Sequence, residues 1–177
     1  MKKYINIVLA ALVTLTMFSC TKKADVDAIE PKLPSIKLSS LGYQQSGPFV
    51  ISGSSANTLL INFGATLTSQ ETGAFKLEIL EGSTVVSTVN FASWNGYDAT
   101  SITNPVPPAS KVLVHSISAV PQETTYKNTT VLAGTILLKL SSLGLTAGKT
   151  YGARATAYNK DASLNSVFTQ SSFFVTK

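Results

Sequence analysis

The sequence predicts an all-β protein, an antiparallel β-sandwich over residues 35–177. Three observations carry that expectation. From Ser35 onward, short runs of alternating or β-branched residues recur, which is the two-residue period of half-buried strands. Gly, Asn and Pro punctuate those runs where the chain must turn. No stretch carries a convincing helical period.

Strands are expected near 35–40, 48–53, 57–65, 74–80, 84–91, 111–119, 134–141, 150–159 and 166–176. The clearest hairpin runs from Ala74 to Phe91. There Phe75, Leu77 and Ile79 alternate with Lys76 and Glu78, so one face is apolar and one wet. Glu81-Gly82-Ser83 supplies its turn, and Gly82 can take the positive φ of a tight turn. Ile136, Leu138 and Leu140 repeat the two-residue period. The stretch Ser93–Ser110, with Pro105, Pro107 and Pro108, reads as a long irregular loop, and loops of that length are often functional.

The domain follows a leader and a tether. Lys2 and Lys3 precede an apolar run from Tyr4 to Phe18, and Ser19 and Cys20 close it. A positive start, an apolar middle and a small residue at the cut are the anatomy of an export signal. The run is short for a membrane span, which needs ~20 apolar residues. Cys20 is the only cysteine of the chain. A leader ending in Ser-Cys-Thr-Lys-Lys resembles those of envelope lipoproteins from Bacteroidetes-type bacteria. That resemblance implies a signal peptide over 1–19, a diacylated Cys20 as mature N-terminus, and a flexible tether over 20–34. Two acyl chains give stable anchoring. Localisation in the cell envelope, at the outer membrane, is then expected, with the face left open. An uncleaved anchor, and a cysteine that merely follows an ordinary signal, stay open as alternatives.

Removing Lys2 and Lys3 lowers the formal charge from +5 to about +3. The basic residues are scattered and do not alternate with aromatics, so no nucleic-acid partner is expected. With its one cysteine spent on lipid, the domain has no disulfide and rests on its packed core.

Three segments resemble a fibronectin type III or related immunoglobulin-like domain. The strongest is Leu145-Thr-Ala-Gly148-Lys-Thr-Tyr151, leading into Gly-Ala-Arg-Ala-Thr-Ala157-Tyr158-Asn159, which matches that family's strand F. Gly73–Ile79 resembles its strand C. Thr58–Phe63 resembles strand B, with Phe63 where Trp is common, and Ala147 replaces the usual Pro. The stretch 92–132 exceeds the family's length, so an inserted loop or strand is expected between strands C′ and E. The resemblance implies that Tyr151 is a buried corner residue, its hydroxyl bonded to backbone a few residues upstream. Ala153, Ala155 and Ala157 would share its face. Leu59, Ile61, Phe63, Ile136, Leu138 and Leu140 would then supply the volume from the other sheet.

Little chemistry is visible. His115 is the only histidine and lies in an apolar run, so it reads as structural. A zinc site needs three or four ligands, and neither a second His nor a free Cys exists to build one. There is no Gly-x-Ser-x-Gly elbow and no Gly-rich phosphate loop. Glu71, Glu78, Glu81, Asp98, Glu123 and Asp161 are scattered, and Glu78 and Glu81 read as solvated. Asn159, Asp161 and Asn165 lack the alternation of a calcium loop and read as a polar hairpin turn. No cofactor, no metal and no catalysis are expected.

The one constellation with binding chemistry is Phe91-Ala-Ser-Trp94-Asn95-Gly96-Tyr97-Asp98, which holds the only Trp. Exposed Trp94 and Tyr97 would stack on a sugar while Asn95 and Asp98 bond its hydroxyls. Alternatively, Trp94 caps the end of the core. The expectation is a lipid-anchored binding module for a glycan or a protein partner. Fold analogy and the leader's resemblance place it in an outer-membrane nutrient-uptake system. The alternative is a structural, adhesin-like or fimbria-associated subunit. An exposed aromatic platform would favour the first, and a bare, long edge strand the second.

Overall fold

The structure is a computed structural model that describes residues 34–43, 45, 47–53, 57–92, 94, 97–98, 111–122 and 128–177. The expected signal peptide, Cys20 and the tether up to residue 33 lie outside the described residues.

The described chain is all-β. Its strands are β1 (Ser35–Tyr43), β2 (Thr58–Thr68), β3 (Thr72–Glu81), β4 (Thr84–Phe91), β5 (Tyr97–Asp98), β6 (Val112–Ala119), β7 (Thr129–Lys139), β8 (Thr150–Asn159) and β9 (Asn165–Val175). A 3₁₀ turn, Leu140–Ser142, follows β7. One sheet has the order β1-β2-β7-β6-β5 and the other β4-β3-β8-β9. All strand pairs are antiparallel. The two sheets pack as a sandwich, and their inward residues form one core.

Alternation selects the inward face. On β2, Leu59, Ile61, Phe63, Ala65 and Leu67 are buried, and the residues between them are half-buried. On β8, Tyr151, Ala153, Ala155 and Ala157 point inward. The alanines fill little volume. Leu59, Ile61 and Phe63 of β2, with Ile136, Leu138 and Leu140, supply it from the facing sheet. Such interlocking is how interiors reach crystal-like density.

Three expectations need correction. No strand forms over 48–53. Phe49 makes one isolated bridge to Thr176, and the next residues close on themselves. Asn57 Oδ1 accepts the Val50 N–H at 2.6 Å, and Asn57 N–H donates to the Val50 carbonyl at 2.7 Å. Those bonds use the groups a ladder would need, and Pro48 has no N–H to offer. β7 begins at Thr129, not 134. Gly134, the first residue of the expected strand, stands opposite Phe63 in register, and a Cβ there would collide with the Cζ edge of the Phe63 ring. Finally, two strands occur between β4 and β7: β6, expected near 111–119, and the short β5, placed within the expected loop.

The β3–β4 hairpin pairs Glu81 with Thr84 across a two-residue loop. Gly82 takes φ 61° at the first loop position, which is why glycine is favoured there.

Candidate functional site

Three features cluster at one end of the sandwich: the β2–β3 turn, the β8–β9 turn and the chain leaving β4. Asn159 ties the turns together. It is 1% exposed, and its Nδ2 donates to Gln70 Oε1 at 2.7 Å and to Ser163 Oγ at 3.1 Å. Its Oδ1 accepts the Leu164 N–H at 2.9 Å. Asp161 Oδ1 accepts from the backbone and hydroxyl of Ser163 at 3.0 and 2.6 Å, the local bonding that makes Asp a turn residue. These bonds hold the Asp161 carboxyl below its usual range. The oxygens of Asn159 and Asp161 are thus engaged in the turn, as a polar hairpin turn requires. Among the described residues no three His, Cys, Asp or Glu side chains cluster as metal ligands.

At the surface of this end Lys160 Nζ meets Glu71 Oε2 at 2.6 Å, and Lys160 N–H bonds the Glu71 carbonyl at 3.1 Å. The lysine hydrogen bond lowers the Glu71 carboxyl's pKa. The pair is solvent-exposed, so it contributes little to stability. It does fix how the two turns present themselves. Sequence reasoning missed both cross-turn contacts, because their partners stand 89 residues apart and no local pattern links them.

Of the two roles expected for Trp94, the structure shows the core cap and not the platform. Its side chain is 0% exposed. The indole N–H points to two carbonyls, Tyr158 at 2.9 Å and Ala74 at 3.1 Å. The β3–β8 ladder is interrupted between Thr72 and Phe75, and the indole donates where the ladder breaks. Its ring meets Phe75 edge-on at 6.1 Å. Trp94 therefore plugs the end of the core and offers no face for stacking. Asn95 lies outside the described residues. Tyr97 and Asp98 are backbone partners of His115 and Val114 in β5–β6, and their side chains lie outside the described residues.

Tyr151 is 1% exposed. Its hydroxyl accepts the Thr146 N–H at 2.7 Å and stands 3.4 Å from the Thr146 carbonyl. Its ring stacks on Phe174 at 5.6 Å. A buried phenol bonded to backbone five residues upstream holds the chain entering β8.

Glu78 is not solvated, contrary to expectation. It is 7% exposed. Its carboxylate receives Arg154 Nε at 2.7 Å and Lys76 Nζ at 3.3 Å. The Arg154 hydrogen bond outweighs the burial and lowers the Glu78 pKa. Glu81 pairs with Lys149 at 2.9 Å.

Register shifts break every edge strand except the two-residue β5, and break β6 beside it. β1 shifts between Leu38 and Ser40, β4 opposite Ile79 and Leu80, β6 between Val112 and Val114, and β9 opposite Tyr151 and Ala153. In every case the surplus residues belong to the outer strand. Lys111 Nζ also occupies the β4 edge, donating to the Thr88 carbonyl at 3.0 Å and to Ser87 Oγ at 3.2 Å. Leu38 N–H donates to Ser166 Oγ of β9 at 2.9 Å. Bulges and edge lysines are the usual protection against strand addition.

No protein-family model matches the sequence, and no curated protein does. Among solved structures, a Bifidobacterium dentium β-glucuronidase, in complex with coumarin-3-O-glucuronide, is 15% identical, with a TM-score of 0.34. The match covers 79% of this chain and 18% of that one. Astrotactin-2, a vertebrate-specific, perforin-like membrane protein, is 9% identical with a TM-score of 0.35, covering 80% of this chain and 22% of its own. The chain thus spans about a fifth of either protein, and nothing of their activity is carried over.

Proposed function

We propose that this protein is a non-catalytic binding module of the cell envelope, anchored through lipid on Cys20, with an immunoglobulin-like sandwich that recognises a glycan or an envelope protein. A place in an outer-membrane nutrient-uptake system is part of the same reading. The strand orders support the immunoglobulin-like type. Naming the strands by that family, β1-β2-β7-β6 reads A-B-E-D and β4-β3-β8-β9 reads C′-C-F-G. The inserted β5 extends the first sheet.

The observation that carries the choice of a binding module is the protection of the sheet edges. A subunit that assembles by strand addition needs a long, regular, open edge. Here each outer strand carries a bulge or is two residues long. That supports recognition through loops at an end of the sandwich over a structural or adhesin-like role. The end held by Asn159, Gln70, Lys160 and Glu71 is the candidate surface, because its two turns are cross-braced and therefore pre-organised. Trp94 is not its contact residue; it supports the end from beneath.

The test uses the full acylated chain in its native envelope. A photo-crosslinking residue at Glu71 or Asp161 is expected to trap an envelope protein or glycan. The same residue at Thr169, on β9, is expected to trap nothing. Ladders of self-crosslinked copies from Thr169 would favour the assembly subunit instead. Fatty-acid labelling of the wild type, lost in Cys20→Ala, checks the anchor.

A further inference from the structure

His115 stands apart from the other buried polar groups. It is 1% exposed. Among the described residues, its Nδ1 and Nε2 are the buried side-chain atoms without a hydrogen-bond partner. Its ring lies 4.1 Å from Phe91, 5.6 Å from Phe75 and 6.0 Å from Phe63, centroid to centroid. Those rings come from β4, β3 and β2, so both sheets close on the imidazole. A buried polar group left unpaired is costly, and a residue of another type would pack here without that cost. Such groups ask for an explanation.

No charge faces the ring among the described side chains. β2 and β4 carry no titratable residue, and His115 is the only one on β6. On β3, Lys76 and Glu78 lie on the opposite face and pair with each other, and Glu81 pairs with Lys149. On β7, Lys139 falls in the alternate phase to the buried Ile136 and Leu138. Lys111, just before β6, spends its ammonium group on Ser87 and Thr88. Tyr97 and Asp98 of β5 stand opposite His115 and Val114 in register.

The position on the sheet sets what protonation would do. His115 is flanked by Ile136 of β7, in the sheet interior, and by Tyr97 of the two-residue β5, at its edge. A cationic imidazole carries two N–H donors, and among the described side chains neither partner nor counter-charge awaits it in the cage. β5 pairs with β6 over two residues only, so it is the most weakly held strand beside His115.

We propose that His115 is an acid-operated latch: its protonation releases β5 and the outer side of β6 from the sandwich and opens the Phe63–Phe75–Phe91 cage to solvent, while the other sheet stays paired. The product is a pH-gated aromatic surface at one corner of the domain. Trp94, packed on Phe75, is its built-in reporter.

Hydrogen exchange of the full chain in detergent micelles, at neutral pH and at about pH 4.5, tests this. After correction for intrinsic exchange, the Val114 and Ser116 amides are expected to exchange at least about tenfold faster in acid, with Thr156 on β8 unchanged. Trp94 emission should shift to the red. His115→Phe and His115→Leu should abolish the response. Should neither variant fold, the lone histidine of the wild type gives one NMR titration, which must coincide with the β6 opening. Acceleration of Thr156 in step with β6 would mean whole-domain unfolding and overturn the latch. So would acceleration that survives in the variants, or a ring that titrates at the ordinary histidine value without opening.

Discussion

Phe63 occupies the space that Gly134 leaves on the neighbouring strand. The two are register partners in β2 and β7, and a side chain at 134 would collide with the ring. The same ring is buried and packs on Phe75 of the other sheet at 4.8 Å, so it is held between the two sheets. Gly134→Ala is therefore expected to destabilise by about 1–3 kcal/mol, the range for overpacking a filled core. A denaturant series on Gly134→Ala, Phe63→Leu and the double variant checks it. The double variant should recover part of the loss, since neighbours that share a space are not additive.

The same pair shows why part of the fold escapes the sequence. Gly134 opens the expected strand, and only the partners across the ladder on β2 carry that strand back to Thr129. The strands flanked by clear alternation, such as Phe75–Ile79, are legible because their period depends on nothing distant. The 48–53 run is misread because the side chain of Asn57 takes the Val50 N–H, a competition that alternation does not reveal. At the site, the Leu145–Gly148–Tyr151 spacing marks a residue that the structure buries. A core-capping Trp94 is one of the two roles the sequence offers, but its two carbonyl partners are not legible, because they lie 20 and 64 residues away.

Tyr151 and Thr146 provide the second prediction. Tyr151→Phe keeps the ring and its stacking on Phe174 but removes the oxygen that accepts the Thr146 N–H. The expected cost is about 1–3 kcal/mol, the penalty for an unsatisfied buried group. Equilibrium unfolding in urea should show a lower midpoint with an unchanged slope. An unchanged midpoint would mean that water replaces the hydroxyl.

Trp94 yields the third. A buried indole with a paired N–H should emit in the blue and resist iodide quenching, and no other Trp contributes. Trp94→Ala is expected to cost roughly 3–5 kcal/mol, as large-to-small core changes do. Trp94→Phe should keep the packing on Phe75 and lose mainly the two carbonyl contacts, so its cost should be clearly smaller. Red-shifted, quenchable emission at neutral pH would return Trp94 to the surface.

The last prediction concerns the pH dependence of stability. Burial lowers the His115 pKa from 6.5 to about 4. The folded state therefore holds its imidazole neutral where the unfolded chain already binds a proton. The stability that follows is fully present above about pH 6.5 and is lost as pH falls toward 4. Over that window the loss amounts to roughly 3 kcal/mol, at about 1.4 kcal/mol per pH unit of displacement. Glu78, Glu71 and Asp161 are shifted in the opposite protonation sense, each held ionised by its partners. Their contribution is intact above the ordinary carboxylate pKa and disappears below it. The two effects occupy different windows, so a curve of unfolding free energy against pH separates them. His115→Phe should flatten the curve between about pH 4.5 and 6.5 and leave the acid limb below it. Glu78→Gln should do the reverse, lowering stability at neutral pH and softening the acid limb. A wild-type curve that is flat between pH 4.5 and 6.5 would place the imidazole in contact with water.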